Sequence, residues 1–521
     1  MSRPLCLAAL AALFFCGLAP ICAMLPRVEL PHLLALSEAR SLALLGRTLL
    51  LGISSATLAL AIGLPFGLLT TLTDLPGARW LRSLSILPLI LPPIFLAITW
   101  TQLSDLRGAP ATVLLLAAAT FPLPAVFTAR AAQRIDCASL EAARLAGGTG
   151  AALGMALPLV LPPALCGAAL AFVFTVNDFA VPDFVSSVGP KFNVYADEVF
   201  SAWQTRTDTG AAVAAALPLV TLTLLALVPA LALRRRGAFA TIGRSGASGG
   251  CSPRPSRPLP LGPRGKLLCL PALALVVATA LLPLGRLVFE AGGGPRGWSL
   301  TAWREAFSYA IELCRANLIT SISCAALAAT LSTFLALVLG HALERLRRRT
   351  LARALELTTL LPLAVPAVLF GIGEIVLWNR DLTAGLYNSP ALIVLLFTGR
   401  FLPLAILVCA GAVASLGREL EESAALSGAG PIRRLFTIVA PPLLPALSGA
   451  WILVFVLAMR ELDAAILVPA ANSTVIFRIF NAIHFGRDDF VAALCLISAF
   501  VTILPALLWG LFSRRSLRIL P

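Results

Sequence analysis

Apolar runs of about 20 residues recur along the whole chain, and nothing else in it restricts the fold as much. A run of that length, nearly free of charge, is what a helix needs to cross the hydrocarbon of a bilayer. Spanning β-barrels are a poor match, because their strands alternate over about 10 residues and these runs do not alternate. The chain has 521 residues, 59% hydrophobic and 12% charged. That charged share is about half the average for a soluble domain. The sequence therefore predicts an all-α integral membrane protein with about 12 transmembrane helices.

The expected spans cover residues 5–25, 47–72, 83–102, 110–129, 159–180, 210–233, 267–288, 316–340, 355–378, 390–413, 443–468 and 490–512. Residues 5–25 read as a first membrane helix; the alternative is a signal peptide with a small-residue cleavage region from Ala19 to Ala23. Pro88, Pro92, Pro93, Pro362 and Pro366 are expected to bend the third and ninth spans. Between the sixth and seventh spans the composition shifts to Gly, Ser, Pro and Arg with no acidic residue, which reads as a flexible basic linker. It can touch anionic lipid or serve only as a solvated tether.

The parts on either side of the linker are related. Leu49–Leu58 parallels Leu318–Leu327, Ile86-Leu87-Pro88-Leu89 parallels Leu360-Leu361-Pro362-Leu363, and Phe172-Val173 parallels Phe455-Val456. Six spans is an even number, so both halves insert the same way, as parallel repeats. The expected domains are 1–236, a linker at 237–265, and 266–521.

The net charge of +15 is not read as nucleic-acid affinity, since basic residues on a membrane chain first mark its cytoplasmic side. Cytoplasmic termini and polar loops place the greater part of the basic residues there. The 11 cysteines include no Cys-x-x-Cys pair and the 3 histidines lie far apart, so spacing indicates no disulfide framework and no metal site.

Two polar loops interrupt this pattern, each after the fourth span of its half. The second, Glu421–Pro442, reads as a short helix, a turn at Gly428 and Gly430, and a new helix opened by Pro431. The first, Asp136–Pro163, repeats the pattern more weakly. Glu422-Ser423-Ala424 with Gly428, Ile438 and Pro441 resembles the Glu-Ala-Ala (EAA) loop of permease subunits of ATP-binding-cassette importers of the MetI-like type. Glu141-Ala142-Ala143 with Gly147 matches too, though Leu157-Pro158 comes two residues early and shortens the far arm of that loop.

The resemblance implies two fused permease domains forming a translocation path. The ATPase-coupling residues are then Glu141, Ala142, Ala143 and Gly147 in the first loop, and Glu422, Ser423, Ala424 and Gly428 in the second. It further implies two cytoplasmic ABC ATPase subunits, a periplasmic or extracellular binding protein, and residence in a bacterial inner membrane with both termini cytoplasmic. The fused form resembles iron(III) transport permeases; thiamine, phosphonate and polyamine permeases are the alternatives. The chain itself is expected to be no enzyme and to hold no cofactor. ATP is expected on the partner, because Gly262–Lys266 is followed by Leu267 and so lacks the full phosphate-loop pattern. A secondary transporter would not need the paired loops, and a membrane enzyme would want a cluster of His, Asp or Glu that the sequence does not show.

Charged or amide groups at membrane depth are costly and usually functional. Asn177 and Asp178, and Arg460 and Glu461, occupy equivalent places late in the penultimate span of each half. They line the path or its outer gate, or else sit at the interface or pair with one another, as Arg460 with Asp178. Glu374 and Arg400 are similar cases.

Overall fold

The structure, a computed structural model, describes residues 3–206, 208–233, 258–294, 297–346, 348–467, 474–483 and 488–516. Residues 234–257, most of the expected linker, lie outside the described residues, as does Arg518. Among the described residues, ten helices are long and apolar enough to cross a membrane, and up to twelve spans result if each of two sharply bent helix pairs counts as one. The long helices are α1 (Pro4–Arg27), α2 (Ala39–Leu72), α5 (Gly108–Ala132), α6 (Cys137–Asn177), α8 (Thr209–Ala230), α9 (Gly262–Ala291), α10 (Leu300–Arg345), α13 (Ala391–Ser415), α15 (Pro431–Met459) and α16 (Asp488–Phe512). The bent pairs are α3 (Ala78–Ile90) with α4 (Pro93–Leu103) and α11 (Thr350–Ala364) with α12 (Ala367–Trp378). Between α6 and α8 lies α7 (Tyr195–Arg206), and α14 (Arg418–Leu426) precedes α15.

The expected bends are present and larger than a kink. The pairs turn by 97° and 98°. At the first break Leu91 and Pro92 are extended, with ψ of 144° and 133°. At the second, Val365 and Pro366 have ψ of 133° and 142°. Proline has no N–H to give its helix and pushes the preceding residue out of the α region, so the helix stops there and restarts in a new direction.

Contacts divide the chain into two compact units, neither continuous in sequence. The first comprises Ser37–Glu198 and Pro218–Arg286; the second comprises Met1–Leu36, Val199–Leu217 and Leu287–Pro521. The helix that opens each repeat thus packs in the unit that holds the core of the other repeat.

In the first unit, close helix contacts are made through glycine. A Cβ on Gly63 would lie 2.6 Å from the Phe121 carbonyl oxygen and 2.9 Å from the Ala125 nitrogen, so α2 touches the backbone of α5. Small residues permit this approach, which membrane helices use in place of a hydrophobic driving force. The Trp100 indole N–H of α4 donates to the Ala278 carbonyl at 3.2 Å. Ala278 lies in a π-helical turn, Val277–Leu281, within α9. The Tyr195 N–H is held by Thr48 Oγ1 at 2.8 Å, which fixes the start of α7.

The second unit repeats that device. A π-helical turn, Phe14–Leu18, interrupts α1. Pro20 and Pro283 each stand two residues beyond their π turn. A proline leaves the carbonyl four residues back without its helical donor, which favours a local widening. Gly399 of α13 packs on that carbonyl, Cys16, too closely for any side chain there. Glu374 of α12 is fully buried, and neither carboxyl oxygen has a hydrogen-bond partner among the described residues.

Two outcomes test this packing. Gly63→Ala is expected to lower the melting temperature of the detergent-solubilised chain, since overpacking costs about 1–3 kcal/mol. Gly46→Ala, on the same helix with nothing within 4 Å, is expected to leave it unchanged or raise it slightly.

The second concerns Asp197, which caps α7 by accepting the Val194 N–H at 2.8 Å. Burial pushes its carboxyl up to about 7; the Val194 bond opposes the rise, while the charges of Asp183 and Glu198 add to it. Between the ordinary carboxylate range and that value the folded chain keeps a proton that the unfolded chain has lost, so stability falls as pH rises through this window. Asp197→Asn should therefore melt above the wild type at pH 8, with the gap narrowing as pH falls and closing only below the ordinary carboxylate range.

Candidate functional site

Both polar loops fold as helix, turn and re-entering helix. In the first, Asp136 caps α6, its carboxylate accepting the Ser139 N–H at 3.1 Å. This supplies one of the acceptors that a helix start needs. The helix runs past Glu141 and breaks at Gly147 (φ −157°, ψ 23°) and Gly148 (φ 74°, ψ −167°). Only glycine takes the second conformation without strain. In the second loop, α14 ends at Leu426, Gly428 has φ 79°, and α15 opens on Pro431.

The early Leu157-Pro158 now has a physical account. In the first loop one residue, Gly148, separates Gly147 from the new helix, and Pro158 follows Gly147 by eleven residues. In the second, Ala429 and Gly430 intervene before Pro431, and Pro441 follows Gly428 by thirteen residues. One of the two extra residues is turn. The other fits into a π-helical stretch, Arg434–Val439, where each turn holds one residue more. The shortening therefore leaves the helix-turn-helix form intact.

Glu141, Ala142 and Gly147 are exposed and Ala143 is half-buried; Glu422, Ser423 and Gly428 are exposed and Ala424 is half-buried. Four residues after each glutamate stands a leucine that faces solvent, Leu145 at 82% exposure and Leu426 at 91%. A leucine so placed on a short polar helix has no partner among the described residues. The same pair is visible in the sequence, but only once the two loops are aligned residue by residue.

The anchors of these helices differ. Leu140, before Glu141, is buried in a cluster with Leu68, Leu72, Ala152 and Leu259. The residues around Leu259 strap this loop: Leu259 pairs with the chain at Thr73, Thr149 Oγ1 donates to the Pro260 carbonyl at 2.6 Å, and Asp74 accepts the Leu261 N–H at 2.8 Å. Glu421, before Glu422, instead meets His341 Nε2 and Arg345 Nε, both at 2.8 Å. Partial burial opposes its charge, yet the bonds and charges of His341 and Arg345 hold its carboxyl below the usual range. His341, Arg345 and Glu421 carry no motif, and sequence reasoning missed them.

Several of the intramembrane groups bond the main chain. Asp178 Oδ1 accepts the Val181 N–H at 2.9 Å, and Glu461 Oε1 accepts the Ala464 N–H at 3.1 Å. The equivalent carboxylates thus perform the same local task, capping the backbone three residues on. Asn177 is buried, its amide donating to the Val173 carbonyl at 2.8 Å. Arg460 directly follows Met459, the last residue of α15. Arg400 of α13, not adjacent to Glu461 in sequence, lies against it, with Nε 3.3 Å from Oε2. Its Nη1 donates to the Val365 carbonyl at 3.3 Å, at the break before Pro366. Among the described residues no group of three or more His, Cys, Asp or Glu is placed to hold a metal ion.

Paired six-span repeats, each with a broken third span and a polar helix-turn-helix loop after the fourth, define a helical membrane transport component. The chain belongs to the family described as binding-protein-dependent transport system inner membrane component, which matches residues 63–236 and 299–520. It is 27% identical over 232 residues to the putrescine transport system permease protein PotI of Escherichia coli (strain K12), covering 42% of this chain and 79% of that protein. It is 28% identical over 222 residues to the putative ABC transporter permease protein ORF1 of Streptomyces antibioticus, covering 42% of this chain and 94% of that protein. A third relative is the putative ferric transport system permease protein FbpB 1 of Haemophilus influenzae, 28% identical over 166 residues, 32% of this chain and 26% of that protein.

The buried pair yields a prediction. Glu461→Leu leaves the Arg400 guanidinium buried without its counter-charge, and should cost about 3–5 kcal/mol. Arg400→Met combined with Glu461→Leu should regain most of that loss in a thermal melt, because a buried ion pair and an apolar pair of similar volume are close in energy.

Proposed function

We propose that this chain is the translocation subunit of an ATP-driven importer, and that its two polar loops are the points where two separate cytoplasmic ATPase subunits grip it. The observation that carries the reading is the matched pair of short helices, each with an exposed glutamate (Glu141, Glu422) and an exposed leucine four residues later (Leu145, Leu426). A leucine knob on a polar helix suits an apolar socket on a partner, and the glutamate suits a basic residue at its rim. Closure of two ATPases on ATP would press both helices together and shift the chain between two global states. On this reading ATP is bound and split by the partner, a periplasmic or extracellular binding protein delivers the substrate, and both termini face the cytoplasm. The permease domains are 1–236 and 266–521, with 237–265 as their tether.

The substrate we favour is iron(III). Two six-span repeats fused in one chain support it, as does the ferric relative. The second reading is a polyamine, favoured by the longer match to the putrescine permease. Asn177, Asp178, Arg460 and Glu461 sit near the path in either case, with the carboxylates shaping its backbone.

Co-expression with the cognate ATPase tests the loops. Wild type should recover about two ATPases per chain. Leu145→Asp and Leu426→Asp should each reduce recovery at least tenfold in affinity, the cost of putting a charge into an apolar contact (about 1.4 kcal/mol or more). Recovery unchanged in both variants would remove the loops from the ATPase interface. Competition of labelled uptake by ferric chelate and by putrescine then separates the two substrates.

A further inference from the structure

The repeat register places unlike chemistry at one pair of positions. Leu72 stands fourteen residues after Leu58, and His341 fourteen after Leu327, at the ends of the matched segments. Leu140 and Glu421 each stand directly before the loop glutamate. In the first repeat this pair is apolar, with Leu72 and Leu140 both almost fully buried in one cluster. In the second it is ionic: Glu421 bonds His341 Nε2 and Arg345 Nε at 2.8 Å each. Two further bonds brace the same corner. Arg345 Nη2 donates to the Leu416 carbonyl at 3.0 Å, and Arg418 Nη2 to the Glu344 carbonyl at 3.3 Å.

An apolar side chain in a socket resists removal but is indifferent to small rotations of its helix. A carboxylate held by an arginine and a histidine is directional as well as strong. We infer that His341 and Arg345 are positioning residues for the second coupling helix alone, forming an ionic latch where the first coupling helix has an apolar socket. The second helix is thereby fixed in rotation by directional bonds at the position where the first has Leu140, and removing Glu421 strands the Arg345 guanidinium in a mostly buried site. The inference rests on reading these helices as coupling elements only for its consequence in transport; the latch itself stands on the geometry.

The test is hydrogen–deuterium exchange on the purified full chain in lipid nanodiscs, for wild type, Glu421→Leu, His341→Leu and a combined variant that joins both changes to Arg345→Met. Each single variant should speed exchange in 416–430 about tenfold, with 136–150 unchanged. The combined variant, which installs the leucine pair of the first repeat and leaves no guanidinium stranded, should return 416–430 toward wild type. Mere loss of packing would not produce that rescue. Unchanged exchange in both single variants would overturn the latch, and so would equal loosening of 136–150 or a combined variant no better than the singles. ATP-driven uptake by the same variants, with the ATPase present, reads the other claim. If exchange behaves as expected while uptake is equal in all four proteins, the latch stands and the coupling role is what fails.

Discussion

Hydrocarbon offers a polypeptide no water, so every backbone N–H and C=O within it must find a partner in the protein. The rest of the architecture depends on that demand. It makes the spans helical, and it makes each interruption of a helix an event that needs compensation. The breaks before Pro92 and Pro366 are such events, and at the second the Arg400 guanidinium supplies a donor to the Val365 carbonyl. Within the π turn before Pro283, the Ala278 carbonyl receives the Trp100 N–H. Charged and polar side chains at depth are here serving the backbone before they serve any substrate.

That ordering bears on how the intramembrane residues are understood. Asp178 and Glu461 were flagged by their cost in a membrane, and both turn out to cap the backbone three residues on. Arg400 neutralises Glu461 and reaches the helix break together. A translocation path can still run past them, but what holds these groups in place is the need to finish the main chain.

Much of this was legible in the sequence. Span number, the bends at the prolines, the repeat and both loops follow from apolar run length and from what Pro and Gly permit. Other features were not. The anchors of the two loops join residues about 70 to 80 positions apart, such as His341 with Glu421 and Leu72 with Leu140, and no local pattern encodes a meeting of that kind. The 46-residue α10 and 41-residue α6 overran their expected spans because helix continues beyond hydrocarbon wherever caps and contacts allow, and run length measures only the apolar part. The role of Leu259–Leu261 as a strap on the first loop was hidden because that segment reads as the tail of a linker.

The two packing units also set an order of assembly. Helix α1 packs in the unit that is otherwise built mainly from residue 287 onward, and the last part of the other unit ends at Arg286. At ordinary rates of synthesis the ribosome needs on the order of tens of seconds to pass from α1 to α10. Through that interval α1 sits in the bilayer with its Cys16 carbonyl face and its small residues uncovered, waiting for α12 and α13. Biogenesis of this chain therefore cannot proceed as two halves finished in turn: the first helix made is among the last to be buried, and any chaperone or lipid that shields it meanwhile acts on a folding intermediate dictated by the connectivity.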